Sequence, residues 1–212
     1  MKWTLIFILT FGLLSCNNST DKKSVNDKIV KNSLVKVDSF HIAENKEIFN
    51  CNFDKFLNDP KTPKLAKDLI NNTAKYSEES LSYFISLKSK DKQIREFYFK
   101  AITNSYKIAD GAYSEGLGYS GFEYVKNDTK IFASYFDNVE CFTESDLNTW
   151  AGIVMLELMI DGTDENNKPI IDDYITKLKS NCKSCTEKQK ETINKFGLIL
   201  KEKWNNYLKN IN

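Results

Sequence analysis

Trp150-Ala151-Gly152-Ile153-Val154-Met155-Leu156-Glu157-Leu158-Met159-Ile160 is a run of eleven residues in which Glu157 is the one charged or polar side chain. Three helical turns of such composition are apolar on every side, and a helix of that kind belongs at the centre of a core, not on its surface. Just upstream, Thr143 and Asp146 stand at the spacing of a capping box, with Asp in place of the usual Glu or Gln, and open this helix.

Downstream, Pro169 starts another helix carrying Ile170, Ile171, Tyr174, Ile175 and Leu178. Thr186 with Gln189 is a second capping box, and the helix it opens places Ile193, Phe196, Leu200, Trp204 and Leu208 on one stripe to the C-terminus. Upstream, Ile131, Phe132, Tyr135 and Phe136 mark a short helix. A longer one begins near Asp91, with Ile94, Phe97, Tyr98, Ala101, Ile102, Ser105 and Ala109 at three-and-four spacing. Ser77 caps a helix with Leu81, Phe84 and Ile85, and Thr62-Pro63 starts one with Leu65, Leu69 and Ile70. The expected fold is all-α, a single domain of about seven to eight helices over residues 41–212, arranged as a bundle or as stacked helix pairs. No repeat of fixed period is visible.

Asp110 to Gly121 interrupts this pattern with four of the chain's eight glycines. Gly116-Leu117-Gly118-Tyr119-Ser120-Gly121 matches the GxGxxG spelling of a dinucleotide site, but that motif needs a strand before it, and a helix precedes it here. The segment reads as a flexible loop between helices. Tyr113, Tyr119, Phe122 and Tyr124 are interleaved with its glycines, which makes them candidate binding residues if they meet a partner and core residues if they pack.

The N-terminus has its own organisation. Lys2 is followed by an apolar run from Trp3 to Leu14, about twelve residues where roughly twenty are needed to span a bilayer. It reads as a cleaved export signal over residues 1–15. Leu13-Leu14-Ser15-Cys16 resembles the bacterial lipobox at every position. The resemblance implies cleavage before Cys16, lipidation of its sulfur and a membrane partner reached through the acyl anchor, each buried CH₂ contributing about 0.8 kcal/mol. Asn17 is not the aspartate that retains many lipoproteins at the inner membrane of some bacteria. The expected location is therefore the cell envelope, on the outer membrane, facing periplasm or cell surface.

Residues 16–40 form the lipidated cysteine and a tether, since Asn17 to Ser33 is too polar to bury a core. Val35, Val37, Phe40 and Ile42 alternate as a short strand or an extended lead-in. The chain has 30 Lys and Arg against 29 Asp and Glu, so its overall charge has no sign with which to attract nucleic acid or anionic lipid.

Cys182-Lys183-Ser184-Cys185 has a spacing shared by redox dithiols, half zinc sites and haem attachments. Thr186 in place of histidine excludes haem, and a preceding helix argues against a thioredoxin-like dithiol. In an exported chain a disulfide stapling one helix to the next fits best. Cys51 and Cys141 can form a second disulfide or supply two further zinc ligands. The segment from Cys182 to Lys190, with Trp204 in the following helix and Phe136-Asp137-Asn138-Val139 earlier, is similar to insect chemosensory proteins, over residues 136–212. That resemblance implies an all-helical carrier of apolar ligands. The first cysteine pair of that family is missing here: Glu157 and Asp164 occupy the region.

Catalytic residues are not evident. His41 is the single histidine and sits beside the tether, Glu157 has no paired carboxylate, and Asp172-Asp173 suit a helix N-terminus. No metal and no cofactor is expected. The reading is a lipid-anchored binding or interaction module, of inhibitor or scaffold type, for an envelope protein. The alternative is a carrier of small apolar ligands in a helical cavity.

Overall fold

The computed structural model describes residues 51–76, 78–161 and 170–211. These lie in one unit, Lys46–Asn212. Eight α-helices run through them: α1 (Asp54–Asn58), α2 (Lys64–Ile70), α3 (Lys92–Ser105), α4 (Gly111–Asn127), α5 (Thr129–Tyr135), α6 (Glu144–Asp161), α7 (Ile170–Asn181) and α8 (Glu187–Ile211). Two 3-10 segments, Glu78–Lys88 and Tyr106–Ile108, complete the order, and no strand occurs among the described residues. The fold is all-α. Cys16, the tether, Val35–Ile42, His41, Ser77, Asp164 and Pro169 lie outside the described residues.

α6 is the central helix. Its capping box forms as the spacing requires: the Thr143 N–H donates to Asp146 Oδ2 at 2.8 Å, and the Asp146 N–H to Thr143 Oγ1 at 3.4 Å. Trp150, Ala151, Ile153, Val154 and Leu158 are fully buried. α4 covers α6 most extensively, α8 next, and α3 and α7 also touch it. Phe99 of α3 stacks on Trp150 with ring centroids 4.5 Å apart and on Tyr135 at 4.0 Å. Phe132 bridges from this stack to Trp150 and to Phe196 of α8. Aromatic surface on this scale dominates core energetics.

α4 corrects the sequence reading. The glycine-rich stretch taken as a flexible loop is a continuous helix, begun by Asp110, whose carboxylate accepts the Tyr113 N–H at 3.0 Å. Glycine in a helix costs roughly 0.5–1 kcal/mol against alanine, but here its small size decides. A Cβ on Gly118 would stand 2.7 Å from Leu156 Cβ and 3.1 Å from the Glu157 nitrogen, and one on Gly121 would strike Ile153 Cγ2. Close packing of α4 on α6 needs both positions bare.

Two smaller differences follow from local chemistry. Glu78–Lys88 is a 3-10 segment where an α-helix was expected, and it buries Ser80 and Tyr83 three residues apart. Ser82 Oγ donates to the Glu79 carbonyl there, the kind of local bond that competes with α-helical pairing. Pro63 caps α2 from outside, and Lys64 is the first helical residue. α3 starts next to Asp91, whose carboxylate accepts the Gln93 N–H at 2.8 Å, and the Thr186 capping box forms as read, the Thr186 N–H donating to Gln189 Oε1 at 3.2 Å.

Candidate functional site

The four described cysteines pair two and two. Cys182 and Cys185 are disulfide-bonded with Cα atoms 5.0 Å apart, closing the corner from α7 to α8. Cys51 and Cys141 are bonded with Cα atoms 4.9 Å apart and tie the entry of the domain to the loop between α5 and α6. A zinc centre would need the four sulfurs around one point, and the two pairs sit in separate bonds. Among the described residues no group of three or more His, Cys, Asp or Glu is placed to hold a metal.

The candidate aromatic residues separate once α4 is a helix. Tyr113 and Tyr124 belong to the core, at 2% and 5% exposure, which is the packing alternative of the two. The Tyr113 hydroxyl sits 2.7 Å from Ser105 Oγ and also meets Ser80; burial raises its pKa, and the two serines oppose the rise. Burial pushes Tyr124 well above the ordinary phenol value. Phe122 is half-buried and stacked on Tyr174 at 4.3 Å. Tyr119 alone of the four presents its ring to solvent, at 60% exposure. Glu157 is half-buried on α6, and Asp172 and Asp173 are exposed in the first turn of α7.

A groove that the sequence did not announce lies between the α5–α6 loop and α8. Its volume is about 500 Å³, inside the roughly 300–1,000 Å³ range of ligand-holding clefts. Phe136, Phe142 and Leu147 form an apolar floor, with Val139 standing out at the rim. α8 contributes Lys188, Glu191, Thr192 and Lys195, and the start of α6 contributes Thr143 and Glu144. Lys195 pairs with Glu144 across it, both largely in solvent. An exposed pair contributes about 0–1 kcal/mol, so this bridge opens at little cost. The arrangement suits an apolar group flanked by charges. The one local hint in the sequence is Val139, isolated between Asn138 and Glu140.

Comparison with protein-family models, with curated proteins and with solved structures finds no match.

Proposed function

We propose that the chain is a lipid-anchored envelope protein whose helical domain acts by binding, through the groove between the α5–α6 loop and α8. The observation that carries the anchor is the pairing of cysteines. Four of five are joined in two disulfides, which belong to an oxidising compartment, and the odd one is Cys16, at the end of the apolar leader. An odd cysteine in an exported chain calls for a use, and acylation supplies one.

Binding rests on the groove. A partner protein inserting an apolar side chain over Phe142 and Leu147 would find Lys188, Glu191 and Lys195 on one side and Glu144 on the other to set its register. The carrier reading moves to the same place: stacked Phe99, Trp150 and Tyr135 fill the helical centre, so a small apolar ligand would sit in the groove.

The test has two arms. Alkylation of denatured, unreduced protein from cells should find no reactive thiol, and one reactive thiol at Cys16 defeats the anchor. A photo-crosslinker at Val139 should capture one envelope protein that the same probe at exposed Leu198 does not, and Thr192→Arg, at a half-buried groove position, should abolish that capture. Equal capture at both positions defeats the groove. Displacement of an apolar fluorescent probe by lipid, blocked by Thr192→Arg, would favour the carrier.

A further inference from the structure

The near-neutral total charge conceals a local imbalance. Between positions 177 and 190 the chain has five lysines, Lys177, Lys179, Lys183, Lys188 and Lys190, against one acid, Glu187. The fold gathers them at the α7–α8 corner, where the Cys182–Cys185 disulfide holds the turn. Lys177, Lys179, Lys183 and Lys188 are exposed. Lys130 of α5 joins the corner by donating to the Ser184 carbonyl at 3.1 Å. Of the acids nearby, Glu187 pairs with Lys190 at 2.8 Å and Asp137 accepts from Gln189 at 2.8 Å; Glu140 follows on the same loop, and exposed Glu191 follows Lys190 on α8.

Lys179, Lys183 and Lys190 also border a cleft of about 330 Å³ floored by Cys182 and Ile193. Exposed Lys179 and Lys183 beside this small, partly apolar hollow, with Lys190 held by Glu187 at its edge, match a phosphodiester with its glycerol. The attachment of the domain points the same way. Cys51, where the described domain begins, is bonded to Cys141 in the α5–α6 loop, and Asp137 of that loop accepts from both Lys188 and Gln189. Thus Cys51, the first described residue, is tied to the loop that meets the start of α8.

We propose that the α7–α8 corner is a membrane-facing surface that rests on an anionic phospholipid leaflet, with headgroup phosphates in the Lys179–Lys183–Lys190 cleft. It rests on the anchor reading, because the acyl chains hold the domain at the surface and the corner sets which face it turns. Lysines near an anionic leaflet are attracted over about one Debye length, so the contact is salt-sensitive while the anchor is not.

The full-length lipoprotein is reconstituted into vesicles of phosphatidylcholine, or of phosphatidylcholine with one quarter phosphatidylglycerol, floated, and acetylated briefly with a water-soluble amine reagent. In the anionic vesicles Lys179 and Lys183 should label several-fold more slowly than in the neutral ones, while exposed Lys64 and Lys92 do not change. About 1 M salt, where the Debye length is about 3 Å, should remove the difference, and Lys179→Glu with Lys183→Glu should remove the protection of Lys177. Equal labelling in both vesicles overturns the proposal, as does protection in both, which would indicate a protein contact. Failure to float overturns the anchor, and this proposal with it.

Discussion

Lys100 places its ammonium 2.8 Å and 2.9 Å from the two carboxylate oxygens of Asp146, and the two side chains are 2% and 8% exposed. Asp146 is also the capping residue of α6, so one carboxylate both neutralises a buried cation and fixes the start of the central helix. Removing one partner of a buried pair leaves the other charge without compensation, at about 3–5 kcal/mol. Lys100→Met and Asp146→Asn should each lower the unfolding free energy by that order in urea titration. The double variant should lose clearly less than the two losses added together, and simple additivity would mean the pair is not coupled.

The glycines of α4 divide by their surroundings. Gly111→Ala meets nothing within 4 Å and should stabilise by about 0.4–1 kcal/mol. Gly118→Ala and Gly121→Ala must push α4 from α6 and should destabilise by about 1–3 kcal/mol despite better helix propensity. Thermal melts of the three variants check this, and stabilisation by all three would contradict the close crossing.

At α4 the sequence stops being informative. α6 and α8 were legible because their signals are local: a capping pair three residues apart and an apolar pattern within each helix. The same holds for Cys182 and Cys185. Whether Gly118 breaks a helix or admits a neighbour depends on Leu156, 38 positions away in the chain. Lys100 and Asp146 are 46 residues apart, and the groove joins Glu144 to Lys195 across 51. Neither relationship leaves a periodic trace. Cys51 and Cys141, 90 residues apart, could be named as a pair but not distinguished from zinc ligands.

That separation has an energetic consequence. In the chain-entropy account a loop of about 100 residues contributes about 4.7 kcal/mol and one of fifteen about 3. Cys51→Ser with Cys141→Ser should therefore cost more stability in guanidinium unfolding than Cys182→Ser with Cys185→Ser. The reverse order would show that the short staple supports more than its own corner.

Buried phenols make the fold sensitive to alkali. Desolvation pushes Tyr83 and Tyr135 up to about 12, against about 10 in an unfolded chain. Their neutral forms are favoured when folded, so the stability involved is fully present below pH 10 and is lost as pH rises from 10 through 12. Ultraviolet titration of the native protein should lag that of the denatured chain, and unfolding should set in within this window. Coincident titration curves would contradict the burial of these rings.

Lipidation of Cys16 is tested most directly by the mass of the mature N-terminal peptide. Protein extracted from membranes and digested should yield a peptide beginning at Cys16, with residues 1–15 absent and the mass of a diacylglyceryl thioether on the sulfur. Cys16→Ala should move the protein from the detergent phase to the aqueous phase. A peptide that retains Met1, or one that begins at Cys16 with no acyl mass, would contradict the lipid-anchored reading.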